Sequence, residues 1–161
     1  MRITGSWEPA YPVEEVWAVL YDPDVLARHT PGCQSMEQTG PERFAIDLKV
    51  AIAGIGGRYR ATLQRSDVHP PSHCDLQVEG KGPVGAINID GTIDLAATGA
   101  GTKVAYGGDI VVAGTMAGLA NRVMGGVAKM MLAQFFKDLE AELASGQAAH
   151  APGEDRGRRI P

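Results

Sequence analysis

The chain has 161 residues, of which 44% are hydrophobic and 21% are charged, as is ordinary for one globular domain. Its formal net charge is −4 at pH 7, and its single basic cluster lies in the last residues, so we expect no nucleic-acid partner. No segment approaches the roughly 18 apolar residues of a membrane span, and no signal peptide opens the chain. These features predict a cytoplasmic protein.

The cysteines and histidines show no pattern of a disulfide or a metal centre. Cys33 and Cys74 are far apart in the chain, which predicts reduced thiols. The histidines lack the spacing of metal ligands, and we expect each to be a solvated or core residue. They are His29, His69, His73 and His150.

The first thirty residues predict a strand followed by two short helices. Alternation of polar and apolar residues over positions 2–10 is typical of an edge strand. Pro12 suits the first turn of a helix, and Asp22 is placed to cap a second helix that begins at Pro23. Pro31-Gly32 ends that helix.

From Cys33 to Ala113 the hydrophobic period is two, and glycine-rich or proline-rich turns separate the alternating runs. Short connections between successive strands predict an antiparallel meander with one face in water. The charged residues fall on the outward parity, so the inward face is predicted to be free of ionisable carboxylates, lysines, arginines and histidines. That inward face comprises Phe44, Ile46, Leu48, Tyr59, Leu63, Leu76, Val78, Ile87, Ile89, Ile93, Tyr106 and Ile110.

From about Thr115 to Ala144 the period becomes helical, and a wide apolar stripe rich in methionine runs along the segment. Methionine is flexible and suits a surface that accepts varied shapes. Gly125-Gly126 interrupts the pattern midway and predicts a kink that lets the helix flex. Residues 146–161 are predicted to be a disordered polar tail, which leaves a domain over 1–145.

This order of elements predicts an α+β helix-grip fold, in which a curved antiparallel sheet of about seven strands is closed by two short helices and one long C-terminal helix. The apolar face of the sheet and the apolar stripe of the helix are each expected to be buried against the other. Because the facing strands are rich in glycine and alanine, a cavity between the two layers is expected rather than a filled core. The residues predicted to line it are Leu48, Tyr59, Leu63, Leu76, Val78, Ile87, Ile89, Tyr106, Ile110, Leu119, Val123, Met124, Val127 and Met131.

Four segments resemble the carbon monoxide dehydrogenase CoxG family of the START-like, polyketide cyclase and Bet v 1 (SRPBCC) superfamily. Residues 11–33, with Asp22-Pro23 and Pro31-Gly32-Cys33, resemble the helix pair of the family. Residues 80–91 are similar to its glycine-punctuated hairpin, 101–114 to its last strand, and 116–143 to its closing helix.

The resemblance implies a non-catalytic protein that carries a hydrophobic ligand for a molybdenum hydroxylase of the carbon monoxide dehydrogenase type. It implies menaquinone or a similar isoprenoid quinone as ligand, with no covalently bound cofactor, and a role in accepting electrons or in recruiting the enzyme to the membrane. The short tail carries no amphipathic stripe, so direct anchoring is not expected, whereas peripheral contact with the inner face of the cell membrane stays open. Two alternatives are an enzyme of the cyclase or hydratase kind and a ligand-free assembly factor.

Overall fold

The computed structural model of the protein describes residues 1–51, 56–83, 85–114 and 117–149, of which 147–149 are described by their backbone alone. Seven strands and three helices follow one another in the predicted order. Their bounds are β1 Arg2–Trp7, α1 Val13–Tyr21, α2 Pro23–His29, β2 Cys33–Gly40, β3 Arg43–Val50, β4 Gly57–His69, β5 His73–Gly82, β6 Gly85–Ala97, β7 Thr102–Ala113 and α3 Ala117–Ala149.

The seven strands form one antiparallel sheet in the order β1-β7-β6-β5-β4-β3-β2, which confirms the predicted α+β helix-grip fold. Each strand from β2 to β7 pairs with the next along the chain, as expected of a meander. Strand β1 then pairs with β7, with Thr4 opposite Gly107. Helix α3 packs beside β7 and β1, and α1 and α2 contact its C-terminal half and the sheet.

The helix boundaries follow local chemistry. The Asp22 carboxylate accepts a hydrogen bond from the backbone N–H of Asp24 at 2.9 Å, and Pro23 occupies the first turn of α2, both as predicted. Gly32 ends this segment with φ +82°, and a Cβ there would lie 2.5 Å from the carbonyl oxygen of Lys49. Only glycine meets both requirements at that turn.

Helix α3 differs from its prediction in two respects. It continues through Gly125-Gly126 without interruption, because packing of the apolar face outweighs the cost of glycine in a helix, and the kink expected there stays a prediction. It also runs to Ala149, into the segment predicted to be tail. Thr115, at which the helical period is predicted to begin, and the adjacent Met116 lie outside the described residues, as do residues 52–55.

The prediction of an inward face without charge is wrong at one position. Arg65 has the same parity on β4 as Tyr59 and Leu63, and its side chain is only 6% exposed. The apolar alternation that predicts this strand ends at Leu63, whereas β4 continues to His69. A buried guanidinium requires partners, and Glu42 lies beside it.

Candidate ligand-binding site

The concave face of the sheet and helix α3 bring most of the predicted lining residues together. One core cluster contains the buried side chains of Tyr59, Ile110, Met124 and Val127, with Ala120 and Val112. The predicted residues that pack around it are partly buried: Leu48, Ile87, Ile89, Val123 and Met131.

Five predicted residues lie elsewhere. Leu63 is buried but belongs to none of the three described core clusters, and Leu76, Val78 and Leu119 are partly buried outside them. Tyr106 packs with Phe136 in a separate cluster near α2. Strand β5 therefore presents apolar side chains, Leu76 and Val78, on the concave face that the described part of α3 does not fully cover.

The two inward tyrosines occupy gaps above glycines. The ring of Tyr59 covers Gly82, where a Cβ would lie 2.2 Å from Cδ2, and the hydroxyl end of Tyr106 covers Gly5, where a Cβ would lie 2.4 Å from Oη. Tyr106 also packs against Phe136, with tilted rings whose centroids lie 5.1 Å apart. Glycine at these positions lets a large ring lie flat against the neighbouring strand.

Two open clefts follow the side where α3 meets β1 and β7. The smaller, about 430 Å³, lies between Met1 and the turn of α3 that contains Arg122 and Gly125. The larger, about 540 Å³, has an aromatic floor and a charged rim. Its lining residues are Ile3, Thr4, Ser6, Trp7, Tyr106, Lys129, Leu132, Ala133, Phe136, Lys137 and Glu140.

The methionines of α3 do not form one stripe toward the sheet. Met124 is buried and Met131 is partly buried, both against the concave face. Met130, by contrast, is 56% exposed, so the methionine-rich apolar stripe predicted for residues 115–144 is wrong in including this residue. Successive residues of a helix are about 100° apart, so neighbouring Met130 and Met131 cannot both face the sheet.

Arg65 is held by contacts on all sides. Its Nε donates to Glu42 at 2.8 Å, one terminal nitrogen donates to the carbonyl oxygen of Tyr21 at 2.7 Å, and the guanidinium lies 3.8 Å above the ring of Tyr21. The hydroxyl of Tyr21 donates to Glu42, and the guanidinium carbon also lies 4.8 Å from the centroid of the Phe44 ring. The cluster joins the end of α1 to β3 and β4.

Burial, followed by the hydrogen bond to Glu42, raises the pKa of Tyr21 to about 12. The phenol therefore remains neutral at physiological pH, and Nε and one terminal nitrogen of Arg65 donate within the cluster, to Glu42 and Tyr21. The arrangement is that of a structural ion pair, in which no described group stands ready as a nucleophile or base.

A second group of polar contacts connects α2 to α3. The Glu142 carboxylate contacts Nε2 of His29 at 2.8 Å and accepts a hydrogen bond from Arg28 at 3.1 Å. These bonds, that of His29 first, lower the pKa of Glu142. His29, one of the histidines without an assigned partner in the sequence, therefore bridges two helices.

The structure also groups residues that the sequence does not associate. Three carboxylates, those of Asp67, Asp75 and Asp94, surround the imidazole of His73 on the convex side of the sheet. The hydrogen bond to Asp94 is the main cause that raises the pKa of His73. A bulge in β4 between Ser66 and His69 creates this grouping, and alternation alone cannot reveal it.

A known protein family matches most of this chain. The model of the family described as the CoxG subunit of carbon monoxide dehydrogenase matches residues 5–144. The chain is a CoxG-family protein. Its match spans β1 to α3 and therefore includes every predicted lining residue.

Solved structures show the same fold. A conserved protein from Geobacillus kaustophilus is 37% identical to the CoxG-family chain, with a TM-score of 0.85 over 90% of this chain and 96% of that one. A START superfamily protein from Mycobacterium smegmatis is 12% identical, with a TM-score of 0.71 over 89% and 97% of the two chains, and shows the shared fold. A search of curated proteins finds no match.

No helix among the described residues is both long enough and apolar enough to cross a membrane.

Proposed function

We propose that this CoxG-family protein is a non-catalytic carrier that binds a hydrophobic, quinone-like or lipid-like molecule between the concave face of its sheet and helix α3. Its client is a molybdenum hydroxylase of the carbon monoxide dehydrogenase type, to which the family name points. The ligand serves as an electron acceptor, and menaquinone or a related isoprenoid quinone has the required chemistry.

The observation that carries the proposal is an apolar concave face that α3 covers only in part. Leu76 and Val78 on β5 are partly buried and project from the same face as the buried ring of Tyr59. An apolar ligand that covers such side chains gains about 2.5 kcal/mol for each 100 Å² of apolar surface removed from water. A chain of isoprene units is apolar along its length and suits this face.

The polar groups near the site favour carriage over catalysis. The buried cation, Arg65, is paired with Glu42, and the pKa of Tyr21 is far above physiological pH. A cyclase or hydratase would need a buried acid or base aimed at the ligand. The described residues offer none on the concave face beyond this paired cluster.

The test is extraction and mass spectrometry of protein purified from its native host. We expect a co-purifying quinone or other isoprenoid lipid in a constant ratio to protein, and uptake of a short-chain menaquinone by delipidated protein. Protein that is consistently empty and fails to take up the menaquinone would overturn the proposal and favour a ligand-free assembly factor.

The client is tested separately. Immobilised protein should retain a carbon monoxide dehydrogenase from the same host, and added short-chain menaquinone should be reduced when carbon monoxide is supplied. Retention of the enzyme without quinone reduction would favour a role in recruiting the enzyme to the membrane. Co-flotation with anionic phosphatidylglycerol vesicles is the direct measurement of that role.

A further inference from the structure

The convex side of the sheet carries a cluster that the carrier function does not use. It lies where β4, β5 and β6 meet the 69–73 turn. His73 and Asp75 project outward because the alternate residue Cys74 is buried, and Asp94 projects outward beside buried Leu95. Asp67 joins them from β4, where a bulge shifts the register and turns its side chain to this face.

The imidazole of His73 uses both nitrogens. Nδ1 lies 2.6 Å from Asp94, while Nε2 lies 2.9 Å from Asp75 and 3.4 Å from Asp67. If the neutral ring carries its proton on Nδ1 and donates it to Asp94, the lone pair of Nε2 faces the carboxylates of Asp75 and Asp67. Such an arrangement is favourable only if a positive species, a second proton or a metal cation, lies among them.

The distances suit a cation. Ligand atoms about 2.1 Å from a tetrahedral ion stand roughly 3.4 Å apart, which matches the separation of Nε2 from Asp67, whereas Asp75 at 2.9 Å lies closer, at hydrogen-bond distance. The ligand atoms of Asp67, His73 and Asp75 all lie within 4.8 Å of one another. The side chain of Asp67, which has to move to close the widest gap, is 57% exposed.

Asp94 supplies the supporting contact that a metal-binding histidine commonly has. A carboxylate on the far ring nitrogen fixes the tautomer and aims the other nitrogen at the metal. His69, whose Nε2 lies 2.7 Å from Asp67, stands beside the group as a further nitrogen donor. Within the described ranges, Asp67, Asp75 and Asp94 form ion pairs with histidines alone, so no lysine or arginine neutralises these three carboxylates.

We propose that His73, Asp67 and Asp75 bind a divalent transition-metal cation, of which Zn²⁺ is the representative, with Asp94 orienting His73 and with His69 or water completing the coordination. Imidazole with carboxylates suits Zn²⁺ better than Mg²⁺, which prefers oxygen ligands alone. The cation joins β4 to β5, and β6 takes part through the contact of Asp94 with His73.

The experiment is calorimetric titration of the full chain, prepared without a histidine tag, with Zn²⁺ and in parallel with Mg²⁺. We expect saturable binding of one Zn²⁺ per chain and no saturable binding of Mg²⁺. His73→Gln should lose the binding, and Asp94→Asn should weaken it by about 10–100-fold, as for other supporting partners. Asp109→Asn, which alters a similarly exposed aspartate on β7, should bind as the unmodified protein does.

Circular dichroism checks that each variant is folded. Should His73→Gln fail to fold, the exposed Asp67→Asn replaces it, with a loss of at least tenfold expected. Absence of saturable Zn²⁺ binding would overturn the proposal. So would Zn²⁺ binding that folded His73→Gln or Asp67→Asn leaves unchanged, or Mg²⁺ binding as tight as that of Zn²⁺.

Discussion

The ring of Tyr59 on β4 lies directly over Gly82 on β5, where any side chain larger than hydrogen would collide with it. A Cβ at Gly82 would stand 2.2 Å from Cδ2 and 2.4 Å from Cε2 of the ring. Tyr59 also packs in the core cluster under α3. Because Gly82 has no side chain, the Tyr59 ring lies close to β5, and this close approach fixes the depth of the concave face at its centre.

Gly82→Ala should therefore destabilise the fold by about 1–3 kcal/mol, the usual cost of an overpacked core. Urea unfolding measures this change. Gly99→Ala is the matched control, since nothing lies within 4 Å of a Cβ there. In a Tyr59→Leu background the cost of Gly82→Ala should shrink, and an unchanged cost in that background would show that the ring is not the obstacle.

Arg65 provides a second stability test. Arg65→Ala leaves Glu42 and the carbonyl of Tyr21 without their partner and should cost about 3–5 kcal/mol, as for other broken buried pairs. Arg60→Ala, on the same strand, removes an 88% exposed side chain paired with Asp47 and should cost less than about 1 kcal/mol. Equal losses in thermal or urea unfolding would contradict a buried structural role for Arg65.

The contact between α2 and α3 should depend on pH. Its hydrogen bonds lower the pKa of Glu142 in the folded state, so this stabilisation is fully present above the unfolded-state pKa of about 4.3 and disappears as the pH falls through the folded-state pKa. Glu142→Gln should cost up to about 1 kcal/mol at neutral pH and nothing in strong acid.

Urea unfolding of this variant at several pH values measures that difference. Glu37→Gln, which changes an exposed residue of β2, is the control and should have little effect at any pH. A loss in Glu142→Gln that stays constant from neutral pH to strong acid would exclude the charge of Glu142 as its origin.

Replacing the two adjacent glycines of α3 tests helix stability and the rate of ligand exchange separately. Nothing lies within 4 Å of a Cβ on Gly126, and on Gly125 the nearest atom is the sulfur of Met1 at 3.6 Å, so both sites accept alanine. Gly125→Ala with Gly126→Ala should stabilise the helix by up to about 1 kcal/mol per site. If α3 moves to admit ligand, stopped-flow exchange of a short-chain menaquinone should become slower. An unchanged rate would place the gate elsewhere, for example near Pro31-Gly32.

The fold was predictable where local chemistry and hydrophobic period agree. Asp22 caps α2 as its side chain predicts, and strict alternation places Tyr59 and Leu63 on the concave face. Strand β2 is harder to distinguish as a separate element, because this edge strand, with the sequence CQSMEQTG, is polar on both faces.

The missed features depend on contacts between distant segments. Arg65 continues the inward parity of β4, yet its burial depends on Glu42, which lies in a turn at φ +57° and is reached from another strand. The grouping of His73 with Asp67 depends on a bulge, and a one-residue shift moves a side chain to the other face. Neither arrangement follows from the period of a single strand.

Binding of a short-chain menaquinone to delipidated protein tests the carrier function most directly, with two tryptophan variants on adjacent residues of β5. Val78→Trp fills the concave face, whereas Glu79→Trp adds the same bulk to the exposed convex face. We predict saturable one-to-one binding by the unmodified protein and by Glu79→Trp, and at least tenfold weaker binding by folded Val78→Trp. No saturable binding, or equal affinity in both variants, would contradict a ligand site between the sheet and α3.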